Sequence, residues 1–287
     1  MRPASFGARA HLPNGRSAAA SVVALHCSGS SGRQWQPLAD ALGPQYSVIA
    51  PDLFDGGSHA PRSRPFTLKD EAAPVIDLID RLDGAVHLIG HSYGGAVALR
   101  AALARSIRVA SLSLYEPMLP HVLKSAGPDG IVAWHQLQVL FADVDRAVRA
   151  GAYARAAQCF FEYFNGAGAW TSLTPENQIA LVHFIPRACL EWRAVMAERT
   201  PLSAYAGLAI PTLMMHGEST REPLALITRR LADAMQGFSF HVVKGAGHMA
   251  PITRAEDVNA CIVRHIARAG GRCRHEALVS FEQLVAS

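Results

Sequence analysis

Hydrophobic and polar positions divide the chain into two regimes. Between residues 20 and 116, short apolar runs alternate with amphipathic stretches. The runs at 20–26, 46–52, 85–90 and 108–116 are too short for helices and are bounded by Gly, Pro or polar residues, which predicts strands. Residues 33–42, 67–82 and 96–105 carry helical patterns. The second of these starts at Thr67 or Asp70 with acidic residues in its first turn, and Pro74 inside it offers an alternative start. A further strand over 4–12 is expected to pair with 20–26 through the turn Pro13-Asn14-Gly15. Strands and helices alternating in this way predict an α/β fold, a mostly parallel sheet with helices on both faces.

From residue 118 to 205 no strand pattern is visible. Helical segments near 129–149, 151–164, 175–189 and 190–199 are separated by Gly and Pro and filled with Ala, aromatic and long aliphatic residues. This stretch reads as a helical cap inserted into a core made of residues 1–117 and 206–287. The sheet pattern resumes at 211–217, followed by a helix over 223–235, a strand over 239–244, a glycine-rich loop and a closing helix over 253–269. Residues 270–287 predict a linker at Gly270-Gly271 and a short amphipathic helix carrying Leu278, Phe281, Leu284 and Val285.

Composition narrows the class of molecule. Half of the 287 residues are hydrophobic, enough for a large core. A net charge of +4 from 27 basic and 23 acidic residues is small and scattered, and gives no footing for a nucleic-acid or membrane-surface role. Five widely spaced cysteines without a C-x-x-C pair argue against a disulfide framework or zinc site and point to a reducing cytoplasm. No run reaches the ~18 apolar residues of a membrane span. Residues 17–25 resemble the apolar core of a signal peptide but lack a clear basic lead and cleavage site. With no H-E-x-x-H and no G-x-G-x-x-G, neither a metal nor a cofactor is expected. The expected partner is a small-molecule substrate, with a homodimer left open.

The chemistry centres on Gly90-His91-Ser92-Tyr93-Gly94, set between a predicted strand and a predicted helix. That is the G-x-S-x-G elbow, a turn so tight that glycines serve at its edges and the Ser hydroxyl is pushed out at the strand end. A Ser hydroxyl is a poor nucleophile without a base. His248, in the loop Gly245-Ala246-Gly247-His248 after the last predicted strand, is the candidate base. His91 is expected to pack beneath the elbow, His26 to brace the loop after the first strand, and His216 to be structural.

The order of the His26-x-x-Gly29 loop, the Pro51-Asp52 loop, the elbow, the helical insertion, His216-Gly217 and the GAGH loop resembles the α/β-hydrolase superfamily over residues 20 to 268. The similarity is to its cap-bearing branch of small esterases and carbon–carbon-bond hydrolases. The resemblance implies an order of nucleophile, acid and histidine, which His248 fits as the last member. It also implies an Asp three residues after Gly217, where this chain has Thr220. Some members carry the acid after the strand that follows the elbow helix, which here makes Glu116 the candidate. Glu218, Glu222, or no acid at all remain alternatives. The oxyanion-binding N–H groups are expected from Tyr93 and from Ser28. Cys27 stands where relatives commonly have Gly.

Three readings follow. The first is a serine hydrolase acting through an acyl-enzyme on a small, fairly apolar ester. The second is a hydrolase of a carbon–carbon bond in a ring-fission diketone, and the third a ligand-binding protein with a degraded triad. Cofactor-free oxygenases and perhydrolases share the scaffold. Trp134, Phe141, Phe160, Phe161, Tyr163, Phe164 and Trp170 are candidates for the cap–sheet core or for a pocket lining.

Overall fold

The computed structural model describes residues 20–53 and 65–285, with side chains to residue 270. The hairpin expected from residues 4–12 lies outside the described residues. Within them the chain runs β1 (Ala20–Leu25), α1 (Gln36–Leu42), β2 (Tyr46–Ile49), α2 (Leu68–Arg81), β3 (Val86–His91), α3 (Tyr93–Ala104) and β4 (Val109–Tyr115). Helices α4 (Gly127–Arg149), α5 (Tyr153–Asn165), α6 (Pro175–Met196) and α7 (Leu202–Ala206) follow. The sheet then resumes with β5 (Thr212–Gly217), α8 (Glu222–Ala234), β6 (Phe238–Val243), α9 (Ala250–Thr253) and α10 (Ala255–Val285).

The described strands form one sheet in the order β2-β1-β3-β4-β5-β6, every pair parallel. Alternate strand residues face opposite layers, as the two-residue period of a strand dictates. Val23, Leu25, Leu88, Leu112 and Met214 join a core shared with α2, α3, α8 and the helices between β4 and β5. Val22, Ala24, Ile89, Leu213 and Met215 join a second core with α1 and α10. Strand order reverses at β1, which has β2 on one side and β3 on the other. In open α/β sheets the crevice at such a switch point, beyond the strand carboxyl ends, is where ligands sit. The loop after β1 and the elbow after β3 both open there.

Several boundaries differ from the sequence expectation. Helix α2 starts at Leu68, not at Pro74. Thr67 caps it, its Oγ1 accepting from the Asp70 amide while Asp70 Oδ2 accepts from the Thr67 amide at 2.9 Å. The segments expected at 175–189 and 190–199 are one helix, α6, which continues through Pro186. Gly270-Gly271 is no linker: α10 passes through both glycines to Val285. Glycine lowers helix propensity by ~1 kcal/mol without forbidding the helix.

Candidate active site

The elbow forms because two glycines allow a contact no side chain would permit. A Cβ on Gly94 would lie 2.4 Å from the His26 carbonyl oxygen and 2.5 Å from that of Leu25, and one on Gly90 would lie 2.5 Å from the Gly94 oxygen. Helix α3 can therefore start directly against β1. Ser92, at the apex, has φ 53°, and Glu116, at the end of β4, has φ 45°. Among the described residues these are the two non-glycine positions in the left-handed region, and both lie in one site.

His248 joins them. Its Nε2 lies 3.1 Å from Ser92 Oγ, and its Nδ1 lies 2.7 Å from Glu116 Oε2. Ser92, His248 and Glu116 are 5 %, 7 % and 0 % exposed, so the series is shielded from water. The other carboxylate oxygen of Glu116, Oε1, accepts from the Gly217 amide at 2.8 Å and from the Thr220 hydroxyl at 2.5 Å. Position 220 thus holds a donor to the carboxylate. Glu218 instead accepts from the Gly245 amide at 2.8 Å, and Glu222 pairs with Arg229.

A second set of hydrogen bonds runs beneath the elbow. The Cys27 amide donates to Gln34 Oε1 at 3.2 Å, Gln34 Nε2 donates to His91 Nδ1 at 3.1 Å, and His91 Nε2 donates to the His248 carbonyl at 2.8 Å. This assignment requires a neutral His91, and burial, with His248 alongside, holds its pKa well below the ordinary value. The Tyr115 hydroxyl donates to the Gly247 carbonyl at 2.8 Å, so two residues of the central strands hold the His248 loop. His26 accepts from the Leu53 amide at Nε2 and donates to the Cys27 carbonyl from Nδ1, and burial lowers its pKa to about 4. His216 packs at the end of β5 with Nδ1 2.8 Å from the Gly217 carbonyl.

Cys27 does not strain its loop, because the positive φ falls on Gly29. Burial, with Glu191 nearby, pushes the Cys27 thiol up to about 12, so it stays protonated. Ser28 and Tyr93 line the same cavity as Ser92 and His248. Tyr93 is the first residue of α3, where helix geometry leaves the amide without an intrahelical acceptor.

That cavity, about 310 Å³, is roofed by α5 and α6 through Phe160, Phe161, Phe164, Leu181, Trp192 and Val195. Phe164 lies over His248 with ring centroids 5.0 Å apart. Trp134, Phe141, Tyr163 and Trp170 do not line it; Phe141 stacks behind Trp192 at 5.9 Å. Sequence reasoning missed Trp192, Gln34, Tyr115 and the supporting role of Thr220. None of these carries a local motif.

A model of the alpha/beta hydrolase family matches residues 22–260. The chain belongs to the alpha/beta hydrolase family. Within reach of this alpha/beta hydrolase, the lipase LipV of Mycobacterium tuberculosis is 27% identical over 266 residues, covering 86% of this chain and 94% of the lipase. Among solved structures, MenH from S. aureus superposes with TM-score 0.71 at 16% identity, over 91% of this chain and 98% of that one. A thermophilic esterase from Thermogutta terrifontis gives 0.65 at 22% identity, over 88% and 90%. These two structural likenesses speak for the fold alone. Among the described residues of this alpha/beta hydrolase, no group of three or more His, Cys, Asp or Glu is placed to hold a metal ion. None of its described helices is long and apolar enough to cross a membrane.

Proposed function

We propose that the chain is a serine hydrolase that cleaves small, fairly apolar esters through an acyl-enzyme. The observation that carries this reading is the series Ser92 Oγ, His248 Nε2 and Nδ1, and Glu116 Oε2, with spacings of 3.1 and 2.7 Å, opening on an apolar cavity. Ser92 attacks the carbonyl carbon while His248 takes its proton at Nε2. Glu116 accepts the Nδ1 hydrogen, fixes the tautomer and stabilises the imidazolium. The Ser28 and Tyr93 amides receive the developing oxyanion. His248 then protonates the leaving alcohol, and water, deprotonated by the same imidazole, releases the acid. Residues 118–205 act as the cap, with α5 and α6 as the ceiling over the acyl group.

The lining supports the substrate class. No Asp, Glu, Lys or Arg is among the described residues that line the cavity, so an uncharged acyl group fits better than a carboxylate-bearing one. A binding protein with a degraded triad is the weaker reading, because the carboxylate absent at position 220 has a counterpart in Glu116, 2.7 Å from His248 Nδ1.

A panel of short chromogenic acyl esters, run with wild type and Ser92→Ala, tests the reading. Turnover by wild type and its loss in Ser92→Ala are expected, together with labelling of Ser92 by an alkyl phosphonate. Equal turnover by both proteins overturns it.

A further inference from the structure

The two residues whose amides are assigned to the oxyanion each place their own side-chain hydroxyl on a buried carboxylate. Ser28 Oγ donates to Glu191 Oε2 at 2.5 Å, and the Tyr93 phenol donates to Glu71 Oε2 at 2.9 Å. Glu191 lies on α6 and is 1 % exposed; Glu71 lies in the first turn of α2 and is 4 % exposed. The first of these ties the loop after β1 to α6 across 163 positions of chain, and the second ties α3 to α2. The Arg187 Nε donates to the other oxygen of Glu191 at 3.0 Å, and its guanidinium also donates to the Leu53 carbonyl.

Packing alone does not account for these glutamates. A helix that needed only to dock would do so at lower cost with an apolar side chain, because removing a carboxylate from water costs several kcal/mol even when it is paired. Both carboxylates instead meet the hydroxyl of a residue bordering Ser92. Two hydroxyls held in this way fix the side chains, and through them the backbone, at the two points where an N–H must already be aimed before charge develops. We propose that Glu191 and Glu71 are positioning residues, each holding one oxyanion-binding amide toward the reacting carbonyl by accepting the hydroxyl hydrogen of the residue that bears it. This inference rests on the hydrolase reading above and adds two groups that never touch substrate.

The proposal ties the cap to the chemistry. Helix α6 carries both Glu191 and the cavity-lining Leu181, Trp192 and Val195. Its seating over the acyl group and its hold on Ser28 therefore change together. The electrostatics agree with the direction of the hydrogen bonds: burial, with Glu71 and Glu191 nearby, raises the Tyr93 phenol well above its ordinary pKa, so it remains a donor.

The test compares wild type, Ser28→Ala, Glu191→Ala, Glu191→Gln and the double variant Ser28→Ala/Glu191→Ala. Steady-state turnover of a short acyl ester is measured beside the affinity for a trifluoromethyl ketone, whose adduct with Ser92 needs the oxyanion site. Displacement of a donor predicts that kcat falls about tenfold or more in Ser28→Ala and Glu191→Ala, with KM within about twofold. Ketone affinity is expected to fall by the same factor as kcat. The double variant should be no worse than the poorer single one, because both remove the same hydrogen bond. Glu191→Gln, whose amide oxygen still accepts from Ser28, should recover most of kcat. Raised KM with unchanged kcat and ketone affinity overturns the proposal, as do losses that multiply in the double variant. If Glu191→Ala does not fold, Ser28→Ala and Glu191→Gln decide: unchanged kcat in Ser28→Ala overturns it. An inactive, unlabelled wild type brings down the hydrolase reading and this proposal together. An active wild type with unaffected variants brings down this proposal alone.

Discussion

Thr220 donates its hydroxyl hydrogen to Oε1 of Glu116, so the loop position expected to carry a carboxylate instead supports the carboxylate that follows β4. Oε1 has a second donor in the Gly217 amide, which leaves Oε2 aimed at His248. Thr220→Val keeps the shape and removes the hydroxyl. Loss of one hydrogen bond to a carboxylate predicts a kcat about tenfold lower with little change in KM. Thr220→Asp sets a second carboxylate against Glu116, and like charges at that range leave one of them protonated. Its pH–rate profile should show an acid limb displaced to higher pH. A profile identical to wild type would count against the placement of Glu116.

Replacing His91 with Phe keeps an aromatic ring beneath the elbow but strands two groups, the Gln34 amide nitrogen and the His248 carbonyl. Leaving buried polar groups unpaired costs roughly 1–3 kcal/mol each. Urea unfolding should show a loss of about 3 kcal/mol, and ester turnover should fall because the His248 loop loses an anchor. An unchanged unfolding midpoint would show that the hydrogen bonds contribute nothing net.

The sheet and the elbow were legible because they depend on local pattern: short apolar runs for the strands, and Gly90, Ser92 and Gly94 for the turn. Ser92 and His248 stood out for the same reason, each in its own glycine-rich context. Glu116 was one of several open choices, since nothing near it in the chain sets it apart from any other strand-end carboxylate; its 2.7 Å approach is to His248, a residue 132 positions away. Gln34, Tyr115 and Glu191 were invisible for that reason. Their roles arise from contacts across β1, β4 and α6 that no window of the sequence contains. Gly270-Gly271 marks no boundary because the helix penalty of glycine is modest and α10 continues through both residues.

Glu191 should leave a mark on the pH dependence of stability. Burial, with Glu71 nearby, raises its pKa to about 7, against the lowering effects of Arg187 and of the Ser28 hydrogen bond. The folded state therefore holds a proton that the unfolded state releases above pH ~4.5. Its contribution is fully present below that pH and is lost as pH rises through about 7. His26 and His87, both lowered to about 4 chiefly by burial, act in the opposite sense: their contribution is present above ~6.5 and lost as pH falls through about 4. Denaturant unfolding of wild type and Glu191→Gln from pH 4 to 8 isolates the first term. The variant should gain relative stability as pH rises from ~4.5 to ~7, and a constant difference would contradict the assignment.

Gly94→Ala tests the elbow itself. The added carbon meets the backbone oxygens of His26 and Leu25, at the end of β1, at 2.4 and 2.5 Å, and neither can swing aside as a side chain would. Relief requires α3 to lift from β1, at a cost of about 1–3 kcal/mol or more, and it carries the Tyr93 amide with it. Thermal denaturation should show the loss of stability, and phosphonate labelling of Ser92 should slow markedly. Wild-type labelling in a stably folded variant would mean that the close approach is not needed for the site.

The hydrogen bond from His91 to the His248 carbonyl spans 157 positions of chain. While the protein is being synthesised, Ser92 after β3, Glu116 after β4 and the whole helical roof leave the ribosome well before His248 does. Until the loop after β6 has emerged and docked on His91 and Tyr115, Ser92 lacks its hydrogen-bond partner His248. Under the proposed mechanism, acyl chemistry at Ser92 would be withheld from the nascent chain and from any product cut short before residue 248, so such an activity would report on completion of the fold.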